Sequence, residues 1–252
     1  MLASPSLRRR FNPRRRSLAA TSAKTAFTRK EKAGKAIACR GYRILFSRDW
    51  DNAVLVSCKR GLDVAVSALL LVLLAPLFAA LAMGVKLTSR GPAFYRWQVV
   101  GRGGRPFTGF KFRSMCMNSD AMKKQLEPLN EMRGPVFKLT NDPRATRFGA
   151  WMRRYSLDEL PQLWSVLKGD MSLVGPRPPL VSEYEQFTHF QKRKLAVKPG
   201  ITCLWQVNGR NEIRDFDEWV KLDLEYIQHW SLWLDIKILL LTAAEVLGGS
   251  GK

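Results

Sequence analysis

The sequence predicts a mainly helical α+β protein, on three observations. Residues Val64–Val85 form a run of 22 residues without a charge, interrupted at Pro76. Aromatic and β-branched residues lie on either side of a glycine-rich turn at Gly101–Gly104. From Arg144 onward apolar residues recur at helical spacing between charged faces. The expected architecture is an N-terminal re-entrant membrane helix broken at Pro76, then a short β-hairpin and amphipathic interfacial helices around a small domain. The expected divisions are a basic, disordered tail over 1–55, the membrane helix-hairpin over 56–90 and the domain over 91–247.

The tail is set apart by charge. The chain of 252 residues has a formal net charge of +21, and its first 60 residues hold 16 of the 42 basic side chains but 3 of the 21 acidic ones. Residues 1–38 contain neither Trp nor Tyr and reach their first acid at Glu31. Such a segment reads as a disordered tail held by lipid phosphates, at about 1 kcal/mol per basic residue near an anionic surface. A transit peptide, or a start codon assigned too early, fits the same composition. The charge excludes indifference to anions but does not choose among nucleic acid, anionic lipid and a phosphorylated substrate.

As a straight helix, Val64–Val85 would span about 33 Å, enough for a hydrocarbon core of roughly 30 Å. Pro76 removes a backbone hydrogen bond near its centre and clashes with the preceding turn, and it should push Ala75 out of helical geometry. Basic residues stand on both flanks: Arg40, Arg43, Arg48, Lys59 and Arg60 before, Lys86, Arg90, Arg96, Arg102 and Arg105 after. Both ends therefore prefer the cytoplasm. A helix that breaks at Ala75-Pro76 and returns satisfies both preferences, whereas a span satisfies one. A cleaved signal peptide is disfavoured by the distance from Met1, and a buried core helix by the length of the run.

The stretch from Gly91 to Met115 reads as two strands about the Gly-Arg-Gly-Gly turn, a run that could also cradle a phosphate. Residues 117–130 look helical, and 134–144 look like a loop. Helical spacing over Arg144–Lys168 is interrupted at Ser156–Pro161. A proline-stiffened loop, Gly175-Pro176-Arg177-Pro178-Pro179, leads to a charged helix near Ser182–Ala196. The amphipathic, Trp-rich stretch Phe216–Leu247 suits either a headgroup-level helix or packing within the domain. The four cysteines, Cys39, Cys58, Cys116 and Cys203, form no metal or disulfide pattern, which fits a reducing compartment.

Ser156-Leu157-Asp158-Glu159-Leu160-Pro161 is the most informative short stretch. Ser-x-x-Glu is a capping box, and acids at a helix start suit the helix dipole. Arg153 and Arg154 lie just upstream, however, and Arg177 lies downstream. Arginines and adjacent carboxylates near a helix N-terminus can also bind a phosphate and a divalent cation.

The runs KRGLDVAVSALLLVLLAPLF, KFRSM, SLDELPQLWSVLKGDMSLVGPRP and KPGITCLWQVNGRN together resemble the bacterial sugar transferases, monotopic phosphoglycosyl transferases that start glycan assembly on a polyprenyl phosphate. The resemblance covers roughly residues 56–245. It implies transfer of a hexose 1-phosphate from a UDP-sugar to undecaprenyl phosphate, with magnesium, at the cytoplasmic face of the bacterial inner membrane, for exopolysaccharide or a related surface glycan. It further implies Asp158 as nucleophile forming a covalent phospho-sugar, Glu159 assisting with proton or metal, and both as metal ligands. Lys111, Arg153, Arg177 and Gln206 match the family's substrate-phosphate residues. The implied partners are the UDP-sugar, undecaprenyl phosphate and an anionic lipid membrane, with no nucleic acid; a homodimer is left open.

The chain departs from the family pattern in carrying Ala75-Pro76 where many members have Ser-Pro, and residues 1–61 hold no apolar stretch for the four spans of larger members. Two other readings compete. A nucleic-acid-binding protein would use the charge but leaves the apolar run unexplained, and residues 1–38 offer only Phe11 and Phe27 for stacking. A catalytically inactive membrane scaffold would require a lost dyad residue, and Asp158 and Glu159 are both present.

Overall fold

In the computed structural model, which describes residues 46–209, 212–249 and 251, the apolar run belongs to two helices. Helix α1 spans Ala53–Leu73 and α2 spans Ala75–Thr88. Their axes are bent by 62°. The hinge is Leu74 (φ −90°, ψ 5°) rather than Ala75, which already occupies the first position of α2. Pro76 thus falls in the first turn of the second helix, where its missing N–H is not needed. No single helix among the described residues is long and apolar enough to cross a membrane, though the bent pair is by length and composition.

Helix α1 carries its polar residues inward. Lys59, Asp63 and Ser67, four apart and so on one face, are buried, while Leu69, Val72 and Leu73 are exposed. The basic flank therefore does not all face outward as its sequence suggests. Lys59 pairs with Asp235 and donates to the Val174 carbonyl at 3.1 Å. Arg60 donates to the carbonyls of Val166 and Leu167 at 2.7 and 2.8 Å. Asp63 accepts from the Ser172 hydroxyl and the Leu173 amide. These side chains found backbone acceptors and donors inside the domain that a linear reading cannot see.

Strands β1 (Phe94–Val100) and β2 (Pro106–Phe112) form an antiparallel hairpin with Tyr95 opposite Lys111 and Trp97 opposite Gly109. Gly103 and Gly104 sit at φ 69° and 79°, so the glycine-rich run serves the turn. Helix α3 (Ser119–Leu126) and a 3-10 turn follow, then the expected loop to Arg144. Helices α4 (Arg147–Arg154) and α5 (Gln162–Lys168) are separated by a 3-10 turn over Leu157–Glu159.

Strand β3 (Ser172–Val174) pairs in parallel with β4 (Gly200–Thr202), two three-residue strands that the sequence does not announce. Gly175 and Gly200 are packed so closely that a Cβ on either would strike the other segment's backbone. The charged stretch after the proline loop is not one helix. It divides into α6 (Val181–Tyr184), α7 (His189–Lys192) and a 3-10 turn, because a Thr188/Gln191 capping box restarts the chain. Helix α8 spans Leu204–Val207. The Trp-rich stretch likewise divides, into α9 (Phe216–Gln228) and α10 (Leu232–Gly248), with Ser231 capping the second.

One core gathers Leu163, Val166, Leu173, Trp205, Trp219, Tyr226 and Trp230 between α1, α5, β3 and α9. A second gathers Leu81, Val85, Phe112 and Met152 under α2, and Leu160 packs against both. Residues 1–45 of the expected tail lie outside the described residues. The fold itself already includes part of the expected tail. Residues Arg48–Trp50 form a 3-10 turn, and Trp50 stacks on Trp230 at 4.0 Å.

Candidate active site

A cavity of about 460 Å³ opens between β1, β2, the loop before α4, the Leu157–Glu159 turn and the proline loop. Lys111, Arg153, Asp158, Glu159 and Arg177, five of the residues singled out in the sequence, all line it. Leu157 and Leu160 on either side of the dyad pack into the core beneath α2, which pins the turn from both ends. The sixth, Gln206, does not reach the cavity wall. Its Oε1 instead accepts the Cys203 amide at 3.0 Å and caps the short α8. Cys58, Cys116 and Cys203 are free thiols.

The turn that presents the dyad is not the capping box its sequence suggests. Ser156 adopts a left-handed backbone (φ 53°, ψ 21°) and makes no side-chain cap. A non-glycine residue in that region is strained by about 1–2 kcal/mol. The left-handed residue stops α4 and reverses the chain, so that Leu157–Glu159 forms a single 3-10 turn and α5 begins only at Gln162. The dyad thus stands on a tight turn between two helices.

Asp158 is 8% exposed, and its pKa is pushed up to about 6. Burial is the main cause and the Glu159 carboxylate adds to it, against the pull of Lys111 and Arg153. Glu159 accepts a 2.7 Å ion pair from Lys111, whose ammonium also lies 4.1 Å from the centre of the Trp97 ring. Arg177 is carried on the loop that β3 and its glycine contact with β4 hold in place. Among the described residues it has no carboxylate at ion-pair distance.

Three elements of the wall escaped the sequence reading. Trp205 and Trp219, stacked at 4.1 Å and 4° between ring planes, line it, and so does Trp97. Their buried indole N–H groups have no acceptor among the described residues. The loop segment Val136–Leu139 contributes Phe137, with the Arg144 guanidinium 4.9 Å from its ring centre. Asp142 lies beside them, held below the usual carboxylate range: hydrogen bonds and charge from Arg144, with Arg153 adding, outweigh its desolvation. In the sequence, Asn141-Asp142-Pro143-Arg144 falls within the stretch 134–144 that reads only as a loop.

Among the described residues no group of three or more His, Cys, Asp or Glu side chains gathers as a metal centre. Two adjacent carboxylates, one of them short of counter-charge, nonetheless fit a magnesium ion whose other ligands are phosphate oxygens and water. The arrangement combines a buried carboxylate with Lys111, Arg153, Arg177 and further cationic side chains in one cavity. It suits attack on a phosphorus atom whose oxygens the cations hold.

Residues 54–249 match the family model for bacterial sugar transferases. The chain belongs to the bacterial sugar transferase family. It is 57% identical over 161 residues to the galactosyl transferase CpsE of Streptococcus agalactiae, covering 64% of this chain and 36% of that protein. With the undecaprenyl-phosphate galactose phosphotransferase of Salmonella typhimurium it shares 47% identity over 197 residues, 77% of this chain and 41% of the relative. The chain thus spans well under half the length of these two relatives. The exopolysaccharide production protein ExoY of Rhizobium meliloti, 38% identical over 198 residues, is matched over 77% of this chain and 87% of its own length.

Proposed function

We propose that this bacterial sugar transferase moves a hexose 1-phosphate from a UDP-sugar to undecaprenyl phosphate, through a covalent phospho-sugar on Asp158. The observation that carries the reading is the buried Asp158 carboxylate, which has no ion pair among the described residues, in a cavity also lined by Lys111, Arg153 and Arg177. An Asp158 oxygen attacks the phosphorus that bears the sugar, and the bond to the UMP oxygen breaks, its electron pair leaving on UMP. An oxygen of undecaprenyl phosphate then attacks the same phosphorus and displaces Asp158. Two relatives are named for this chemistry: the undecaprenyl-phosphate galactose phosphotransferase of Salmonella typhimurium and a UDP-glucose:undecaprenyl-phosphate glucose-1-phosphate transferase of Xanthomonas campestris.

A carboxylate approaching a diphosphate meets like-charge repulsion of about 4 kcal/mol per pair at 4 Å and an effective dielectric of 20. Arg153 and Arg177 offset it on the phosphate oxygens, and Lys111 holds Glu159 in place through their ion pair. Magnesium held by Asp158 and Glu159 would supply further charge neutralisation there.

The membrane placement follows from the same reading. The bent pair α1–α2 enters the cytoplasmic leaflet and returns, with Leu69, Val72, Leu73, Met83 and Leu87 outward and the polar face of α1 on the domain. Helix α10 repeats the pattern: Asp235 and Ile238 are buried, while Trp233, Leu240 and Leu247 form an exposed stripe that suits the headgroup region. The catalytic part then lies on the cytoplasmic side, and the product enters exopolysaccharide or related surface glycan synthesis.

The test is UMP release by membranes containing the full chain, given undecaprenyl phosphate and a panel of UDP-hexoses. Release with at least one sugar, lost on chelation and restored by magnesium, is expected. Absence of release from every UDP-sugar, with the protein folded and membrane-bound, would overturn the reading.

A further inference from the structure

Asp142 is a cavity-wall carboxylate that the reaction above does not use. It lies in the turn Asn141-Asp142-Pro143-Arg144, and its side chain is 4% exposed. Oδ1 accepts the Arg144 backbone N–H at 3.0 Å and Arg144 Nε at 2.8 Å, and Oδ2 accepts Arg144 Nη2 at 2.6 Å. The same Oδ2 stands 3.8 Å from Nη1 of Arg153. One buried carboxylate therefore serves two arginines unequally: a bidentate grip on one and a looser contact with the other.

The backbone makes this a rigid arrangement. The Ala145 amide donates to the Asp142 carbonyl at 3.0 Å, the Thr146 amide to the Ser114 carbonyl at 3.1 Å, and the Thr146 hydroxyl caps α4 at the Gly149 amide. Asp142 thus precedes α4, and Arg153 lies in its last turn, five residues before Asp158. The Arg153 charge acts on both Asp142 and Asp158. A guanidinium closed onto Asp158 would mask the attacking oxygen and use up charge intended for a phosphate. A carboxylate already gripped by Arg144 attracts Arg153 by charge, at 3.8 Å, rather than by a hydrogen bond.

We infer that Asp142 is a positioning residue for the transfer proposed above, drawing the Arg153 guanidinium off the dyad and toward the diphosphate of the bound donor. It acts through Arg153 rather than on the reacting atoms. The inference rests on the proposed function and deepens it.

A double-mutant cycle separates this role from that of a simple turn residue. Asp142→Asn keeps the Oδ1 acceptor and the size of the side chain but removes the charge, and Arg153→Lys keeps a cation while losing the planar fork. UMP release is measured with kcat and KM for the donor in the wild type, both single variants and the double. Asp142→Asn should lower kcat about ten-fold with KM changed less than about three-fold, since a displaced cation costs the transition state more than it costs binding. In the Arg153→Lys background the same change should cost less than about two-fold. Asp142→Glu, which keeps the charge, should recover most of the loss.

An equal fold-loss in both backgrounds would overturn the inference, because Asp142 would then act without Arg153. So would unchanged kcat in Asp142→Asn. If Asp142→Asn does not accumulate in membranes, the cycle is run with Asp142→Glu, whose smaller loss must likewise shrink in the Arg153→Lys background. A wild type without UMP release fails the proposed function instead, a result readily told apart from either.

Discussion

At Asp158 burial and the neighbouring Glu159 push the pKa up to about 6, against 3.8 for an ordinary aspartate. The folded state therefore binds this proton more tightly than the unfolded chain does. Stability from this group is present in full below pH 4 and is lost as pH rises through about 6. The ionised Asp158 carboxylate is thus held at a cost of about 1–3 kcal/mol at pH 7. Asp158→Asn, a good cap and a neutral isostere, should accordingly raise the melting temperature at pH 7 and change it little at pH 4, measured without added metal. A lower melting temperature at pH 7 would return Asp158 to the role of a helix cap. Ser156 adds to this local tension through its left-handed backbone, which no glycine announces.

At the scale of elements, the bent pair α1–α2 and the last helix α10 are turned inside out relative to a water-soluble core. Buried Lys59 and Asp63 on α1 and Asp235 on α10 bond one another or the β3 backbone, whereas the exposed faces are apolar. Removing one partner of such a pair leaves an uncompensated buried charge, so these contacts fix how the helices dock. The re-entrant placement predicts that both ends of the chain face the cytoplasm. Single cysteines placed at positions 20 and 250, in a chain whose native cysteines are replaced, should both resist an impermeant thiol reagent in intact cells and react after permeabilisation. Labelling of one end alone in intact cells would convert the hairpin into a span.

For the whole molecule, what was legible in the sequence was local. Gly103 and Gly104 turned the hairpin, and the apolar run bent at Leu74, next to the expected Ala75-Pro76 position, because such signals act within a few residues of themselves. Lys111, Arg153, Asp158, Glu159 and Arg177 converge on one cavity although helices α3, α4 and α5 and strand β3 fall between the first and the last of them in the chain. What stayed hidden depends on distant partners. The β3–β4 pair is three residues a side with a long connection between. Lys59 looked like a surface charge until Asp235 met it, Gln206 turned to its own helix, and Asp142 showed its meaning only beside Arg153.

The central claim is that Asp158 becomes covalently linked to the phospho-sugar. The most direct measurement is intact-mass and peptide mapping of the detergent-solubilised full chain after incubation with UDP-sugar and magnesium but no lipid acceptor. The account predicts a mass increase equal to one hexose phosphate, mapped to the peptide holding Asp158, absent from Asp158→Asn and discharged on adding undecaprenyl phosphate. An adduct that persists in folded Asp158→Asn, or UMP release with lipid acceptor but no adduct without it, would contradict the account.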